Sequence, residues 1–509
     1  MRLSDLISTP PTPGPDPEIR SIHTRAQEVQ PGGLFVAIPG FTADGHDFIG
    51  DALSAGAAAL VVEKPPAGGV DAPVVVVPDT RREIARIAAR FHGHPAEELF
   101  LIGITGTNGK TTVTFLVDRM LQAAGRPAGV IGTVSYRYGG TQTAASMTTP
   151  EAPELQRILR EMADAGVSHV ALEASSHAIA LHRLEGCPLD VAVFTNLSQD
   201  HLDFHGDMDA YWEVKQRLFT RHLKEGPSPG RAVINVDDAR GRVLAGRLNP
   251  PPITVGTDGD PAVRATLTRS GLTGMAGTIT TPAGPFSFQT ALIGAHNIEN
   301  ILCAVGVGIS AGLSLEAIAS GIEAAGAVPG RLERVPDPDG RFVFVDYAHT
   351  PHALENVLAA LRPLTPGRIL CVFGCGGDRD RDKRPKMGRI VARGADLAVV
   401  TSDNPRSEVP EAIIAEILPG VTAEGAGGLA LTPEDLLDGR WERGYLVLPD
   451  RRAAIDLAIR AARRDDVVLI AGKGHETYQI VKGRVLPFDD RAVARNALGN
   501  ARLEIRHES

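Results

Sequence analysis

The chain has 509 residues, a formal net charge of −9, 43% hydrophobic and 22% charged residues, ordinary figures for a globular protein with room for about two to four domains. No basic run dominates, which argues against nucleic acid or an anionic membrane as partner, so anionic small molecules must be met by local donors. The four cysteines, Cys187, Cys303, Cys371 and Cys375, form no disulfide framework, and no further Cys or His pair completes a zinc set with the last two.

Met1 and Arg2 lead into a Pro-rich stretch, so no secretory signal is expected. The most apolar stretch, from Asn300 to Leu315, is shorter than the roughly 20 residues of a membrane span. A cytoplasmic location follows as the expectation. Residues 1–98 hold short apolar strands at "LFVAIPG" and "APVVVVPD" and a helix at "TRREIARIAARFH", in which Ile84, Ile87 and Phe91 share a face. A second domain, 99–329, opens on "LFLIGITGTNGKTTVTFLVDRMLQAAG", a strand, a Gly loop and a helix. Strands follow at "HVALEAS", "DVAVFTN" and "RAVINVDD", with helical segments between them, as a parallel α/β sheet requires. The Gly- and Thr-rich stretch 253–293 predicts small antiparallel strands, and helices from about Asn297 to Ala325 close the unit.

"GAVPGR" is a plausible hinge into a third domain, 330–509. Its runs "FVFVDYAH", "RILCVFGCGGD", "ADLAVVTSDNP", "GYLVLPD" and "DVVLIAGKGHE" each end in polar residues, the pattern of a doubly wound sheet whose ligands sit at the carboxyl ends of strands. The expected fold class is therefore α/β with three domains: an N-terminal α/β domain, a central P-loop-type parallel-sheet domain and a C-terminal Rossmann-like domain.

"GITGTNGKTT" can cradle phosphates on backbone N–H groups at a helix N-terminus, with Lys110 on the β- and γ-phosphates and the Thr111 hydroxyl on Mg2+. Ile104 stands where the first glycine of the common P-loop pattern belongs. A plain Gly turn between strand and helix is the bland alternative. The loop resembles the ATP loop of the Mur ligase family, which also includes folylpolyglutamate synthetases. "MTTP", "EASSH", "TNLSQDHLDFHG", "GAHNIEN", "PGRLE", "VDYAHTP", "GCGGDRDRDKRPKM", "DNPR" and "AGKGHE" extend the likeness over nearly the whole chain, in the order of its tripeptide-forming branch.

The resemblance implies an ATP-dependent amide ligase working through an acyl phosphate, with ATP on Gly106, Thr107, Asn108, Gly109, Lys110, Thr111 and Thr112, and with Asn297, Arg331 and Asp346 near base and ribose. Two Mg2+ ions would be held by Thr111, Glu173, His201 and a CO2-derived carbamate on Lys215, and Lys110, Lys215, Glu173 and His201 are the catalytic candidates. As a residue read alone, Lys215 in "YWEVKQRLF" is a snorkelling surface lysine. His296 stands where the family often has an aromatic ring, Met147 where it has Asn, and Leu181 where it has Gln.

"IHTR", with Ile22 and Thr24, and "FTADG" resemble the segments that bind the UDP end of the sugar nucleotide. Thr148, Thr149, Ser175 and Arg183 match positions that contact the muramoyl dipeptide. The remaining question is what "DNPR" does after a buried strand. Read alone it is a strand-ending turn with a solvated Arg. By resemblance, Arg406 pairs with the distal carboxylate of meso-diaminopimelate, which L-lysine lacks, and an unpaired guanidinium would reject lysine. Asp403, Asn404, Pro405, Gly472 and Glu476 would hold the rest of the amino acid, and Arg379 a second carboxylate. The implied partners are UDP-muramoyl dipeptide, diaminopimelate and ATP, with no nucleic acid and no membrane, on a monomer. The L-lysine-adding enzyme, a folylpolyglutamate synthetase and a P-loop switch stay open as alternatives.

Overall fold

The structure is a computed structural model that describes residues 1–9, 15–224, 229–423, 428–439 and 441–508. The chain packs as two compact units, Met1–Arg264 with Leu302–Gly321, and Ala265–Ile301 with Ile322–Ser509. Among the described residues no helix is long and apolar enough to cross a membrane.

The first unit holds two sheets. β1 (Ser21–His23), β2 (Gly33–Val36), β3 (Ala57–Val62) and β4 (Val74–Val76) lie side by side, all parallel. Alternation along the strands feeds two cores: Leu34, Val36, Val61 and Val75 pack with Ile84 and Ile87 on one side, and Phe35, Leu60 and Val62 with Ile49 and Ala52 on the other. The expected helix is present as Thr80–Phe91, N-capped by the Asp79 carboxylate, which accepts from the Arg82 N–H.

The second sheet has eight strands: β5 (Phe100–Thr105), β6 (Ala128–Ile131), β7 (Ser135–Tyr138), β8 (Thr141–Ala144), β9 (His169–Glu173), β10 (Val191–Phe194), β11 (Arg231–Asn235) and β12 (Ile253–Val255). Their spatial order is β12-β11-β10-β5-β9-β6-β7-β8. β5 is central, paired in parallel with β10 and β9, and both neighbours are fully buried along their length. Strands covered on both faces read as unbroken apolar runs, which is why the sequence signals them so clearly. β12 departs from expectation: instead of joining the small antiparallel strands it extends the large sheet, parallel to β11. Of the stretch 253–293, the rest does form a separate sheet of β13 (Arg264–Gly271), β14 (Gly274–Thr281) and β15 (Gly284–Thr290), with β14 and β15 antiparallel.

In the second unit β16 (Glu333–Val335), β17 (Phe342–Asp346), β18 (Ile369–Phe373), β19 (Leu397–Val400), β20 (Leu429–Ala430), β21 (Gly444–Val447) and β22 (Val467–Ala471) form one sheet in the order β16-β17-β22-β18-β19-β21-β20. Only the edge strand β16 runs antiparallel. Phe344, Cys371, Phe373, Val400 and Leu469 face one core, and Val345, Val372, Val399 and Ile470 the other. Cys371 and Cys375 are buried thiols in the first of these cores. A hairpin of β23 (Tyr478–Val481) and β24 (Arg484–Pro487) follows β22.

Candidate active site

In the first unit the site begins where β5 ends. Ile104 is an interior residue of that strand, paired with Val193 and Glu173, so the turn starts only at Gly106. Gly106 has φ +148, and a methyl group there would overlap Thr195 Oγ1, so the position requires glycine on two counts. The helix Lys110–Ala123 then points its N-terminal turn and positive dipole end at the loop. The segment after β10 backs the loop from behind. Thr195 Oγ1 donates to the Asn108 carbonyl at 2.6 Å, Asn196 Oδ1 accepts from the Asn108 N–H at 2.9 Å, and Thr107 Oγ1 donates to the Ser198 carbonyl at 3.1 Å. Thr195, Asn196 and Ser198 lie in a motif quoted from the sequence, yet spacing alone gave no sign of this bracing role.

Lys110 Nζ donates to the Gly106 and Thr107 carbonyls at 2.7 and 2.8 Å. Thr111 and Thr112 are buried in the first turn. Thr111 Oγ1 donates to Glu173 Oε2 at 3.1 Å, and Glu173 also accepts from the Thr133 N–H and hydroxyl, each at 2.9 Å. A hydroxyl and a carboxylate oxygen brought together at a phosphate loop is the all-oxygen donor set that suits Mg2+.

Lys215 corrects the reading as a snorkelling surface residue. On the helix Met208–Thr220 it is 1% exposed, donates to the Gly106 carbonyl at 2.9 Å and lies 4.6 Å from the Tyr211 ring centroid. Burial, with Lys110 nearby, pushes its amine well below the ordinary lysine range. His201 is exposed in the left-handed region (φ 52), with its ring 3.5 Å from Asp200 and edge-on to His177 at 4.8 Å. Among the described residues no group of three or more His, Cys, Asp or Glu side chains is arranged to hold a metal ion.

The residues expected at the acceptor do come together. Thr148 Oγ1 lies 3.0 Å from Thr133 Oγ1, while Thr149 Oγ1 donates to the Glu173 carbonyl at 2.6 Å and accepts from the Ser175 N–H at 3.1 Å. Arg183 donates to the Thr149 carbonyl at 2.8 Å and pairs with Glu151 at 2.6 Å, a carboxylate contact that the sequence reading missed. Met147 brings its sulfur within 3.0 Å of the Arg183 guanidinium. In the first sheet Ile22 lies in β1 and packs against the core, and Thr24 is half-buried just beyond it.

In the second unit the polar residues gather at strand ends. Asp346 closes β17, where its carboxylate accepts from the Leu332 and Ala348 N–H groups at 2.7 and 2.8 Å; burial pushes its carboxyl up, against the pull of Arg331. The Arg331 guanidinium lies over the Tyr347 ring at 5.0 Å. Asn297 is buried at the start of the helix Ala295–Ser310, donating to the Ile293 carbonyl at 2.8 Å and accepting from Asn300 at 3.0 Å.

"DNPR" follows β19. Asn404 Nδ2 donates to Glu476 Oε2 at 2.9 Å, and Lys473, fully buried, donates to Glu476 at 3.0 Å and to Asn404 Oδ1 at 3.2 Å. Lys473 is a further residue that the sequence reading passed over. Gly472 lies just past β22, donates to the Asp346 carbonyl at 3.0 Å and faces the Asp403 carboxylate. The Pro405 carbonyl accepts from the Glu408 N–H at 3.0 Å. Arg406 is half-buried, which removes the reading as a solvated Arg: it donates to the Gly377 carbonyl at 2.8 Å and its N–H to the Ile480 carbonyl at 3.0 Å. Arg379 is exposed on the same Gly loop.

A sheet that is parallel except at its β7–β8 edge, and whose central strand feeds a glycine loop and a helix opening on Lys and Thr, defines a P-loop-type nucleotide-binding protein. The chain belongs to the Mur ligase family. Its residues 18–92 match the model "Mur ligase family, catalytic domain", 104–308 the Mur ligase middle domain, and 330–474 the "Mur ligase, glutamate ligase domain". It is 46% identical over 497 residues, covering 96% of this chain and 97% of the relative, to a UDP-N-acetylmuramoyl-L-alanyl-D-glutamate--2,6-diaminopimelate ligase of Geobacter metallireducens. A protein of the same name from Geobacter sulfurreducens is 47% identical, over 94% of each chain. A solved structure of a ligase of that name aligns with a TM-score of 0.66 at 33% identity, over 95% of both chains.

The buried Lys215 amine makes a pH prediction. The unfolded chain keeps that proton up to about pH 10.4, whereas the folded chain loses it at much lower pH. In that window the unfolded state binds more protons, so stability rises with pH. In CO2-free buffer, urea unfolding from about pH 7 to about pH 9 should show this gain, and Lys215→Met should lack that component.

Proposed function

We infer that the chain is an ATP-dependent acid–amino-acid ligase that joins meso-diaminopimelate to UDP-N-acetylmuramoyl-L-alanyl-D-glutamate, through an acyl phosphate, in peptidoglycan precursor synthesis. The observation that carries the choice of amine is Arg406, half-buried in the segment after β19, two residues beyond Asn404, whose side-chain amide donates to Glu476. A carboxylate is a poor electrophile, and transfer of the ATP γ-phosphoryl group to the D-glutamate side chain activates it. The amine then adds at the carbonyl and phosphate leaves. Lys110 and the loop N–H groups hold the nucleotide phosphates, and Thr111 and Glu173 supply oxygens to Mg2+, whose charge offsets that of the crowded phosphate and carboxylate oxygens.

A second Mg2+ is assigned to His201 and to a carbamate on Lys215. Support for the carbamate comes from the amine's burial and depressed basicity, since only the neutral amine adds to CO2, forming an N–C bond and releasing a proton. The carbamate keeps one N–H, enough to retain the bond to the Gly106 carbonyl. Asn297, Arg331 and Asp346 are assigned to the base and ribose. Thr148, Thr149, Ser175 and Arg183 are assigned to the dipeptide, and Ile22 and Thr24 to the UDP end. Asp403, Asn404 and Glu476 hold amino groups of diaminopimelate, with Gly472 and Pro405 lining that pocket, and Arg379 takes its second carboxylate. The working domains are 1–98, 99–329 and 330–509, and the enzyme acts as a cytoplasmic monomer. With L-lysine as the amine, Arg406 has no partner charge; a P-loop switch leaves the Asn404–Lys473–Glu476 cluster without a purpose.

ADP release in the presence of the UDP-muramoyl dipeptide should depend on added diaminopimelate. Arg406→Ala should lower kcat/KM for diaminopimelate by about a hundredfold, near 3 kcal/mol, as a charge pair is lost; unchanged turnover would remove the role. Intact-mass measurement should find one CO2 adduct on the native protein and none on Lys215→Ala, which should be inactive.

A further inference from the structure

The loops after β18 and β19 are joined by residues to which the reaction above gives no part. At their centre is Arg384, in the helix Lys383–Gly394, with a side chain that is fully buried. Its Nη2 donates to Glu408 Oε1 at 2.8 Å and its Nη1 to Glu408 Oε2 at 3.0 Å, a fork-to-fork pair. The same guanidinium reaches Glu416 Oε2 at 2.8 Å and the Gly376 carbonyl at 3.4 Å. Glu408 Oε1 also accepts from the Asp378 N–H at 2.6 Å, and the Asp378 carboxylate accepts from the Ser407 N–H and hydroxyl at 3.1 and 2.6 Å. Arg384 holds the Glu408 carboxyl down at about 2, so the pair stays ionised at any working pH.

Arg406 lies between these attachments. Its guanidinium donates to the Gly377 carbonyl, and the Gly377 N–H donates back to the Asn404 carbonyl at 2.9 Å. A methyl group on Gly377 would overlap the Pro405 carbonyl, so the two loops are in direct backbone contact. Arg406 itself has φ +53, a conformation that a non-glycine residue keeps only where its surroundings over-determine it. The surroundings here are the β23 edge on one side and the Arg384–Glu408 pair on the other.

We propose that Arg384, through its bidentate pair with Glu408, is a positioning residue that aims the Arg406 guanidinium at the distal carboxylate of the incoming amine, and so sets the preference for a dicarboxylic over a monocarboxylic diamino acid. This rests on Arg406 being the carboxylate clamp. Lysine at 384 keeps the charge but not the fork, and glutamine at 408 keeps the shape but not the charge.

The test places Glu408→Gln and Arg384→Lys separately in the native chain and in the Arg406→Ala chain, with kcat/KM measured for diaminopimelate and KM for ATP and the dipeptide acceptor. In the native background each change should lower kcat/KM for diaminopimelate about tenfold and leave the other two KM values in place, whereas in the Arg406→Ala background the effect should shrink below about twofold. The same fall in both backgrounds, no fall, or a fall accompanied by a rise in both KM values would overturn the proposal. Arg406→Ala alone reports on the parent reading: full diaminopimelate turnover there removes the clamp itself. Severe loss there, with Glu408→Gln acting equally in both backgrounds, removes only the positioning role.

Discussion

A parallel sheet covered on both faces has nowhere to put polar side chains except at the ends of its strands, and this constraint organises both units. β5, β9 and β10 are buried along nearly their whole length, and Gly106, Glu173 and Thr195 stand at or just past their carboxyl ends. In the other unit Asp346, Gly374, Thr401 and Gly472 end or follow β17, β18, β19 and β22. Burial that satisfies the hydrophobic strands therefore also concentrates donors and acceptors into one rim per sheet.

Each rim brings charges close together, and each has its own way of tolerating them. In the first unit two lysines, Lys110 and Lys215, both donate to the Gly106 carbonyl. Two ammonium groups sharing one acceptor, that of Lys215 buried, would repel, and the depressed basicity of Lys215 relieves that repulsion by favouring its neutral form. The second unit uses pairing instead. Lys473 is fully buried against Glu476 and Asn404, and Arg384 against Glu408 and Glu416, while the Arg406 guanidinium donates to the Gly377 backbone carbonyl.

Much of this was legible in the sequence because apolar runs and Gly loops are local signals. β5, β9, β10 and β11 of one large sheet, β17, β18, β19, β21 and β22 of the other, the phosphate loop and the polar "DNPR" and "GKGHE" ends could be read from a few adjacent residues, whereas β6, β7, β8, β16 and β20 carried no such signal. β12 was misread because Ile253–Val255 is too short for its neighbours to reveal which sheet it joins, and that choice depends on pairing with β11. The burial of Lys215 followed only from the family resemblance, because a helical pattern cannot show that the covering element is a loop 109 positions away in the chain. The Arg183–Glu151 and Arg384–Glu408 pairs were invisible for the same reason: each joins residues from separate elements, and only the folded backbone sets their distance.

The central claim is that a guanidinium at the end of β19 recognises charge on the far end of the incoming amine. The most direct measurement compares kcat/KM for meso-diaminopimelate, for its analogue with the distal carboxylate converted to a carboxamide, and for L-lysine. The analogue preserves shape and removes only the charge, so the account predicts that it falls about a hundredfold or more, to the level of lysine. Turnover of the carboxamide or of lysine at the diaminopimelate rate would contradict it.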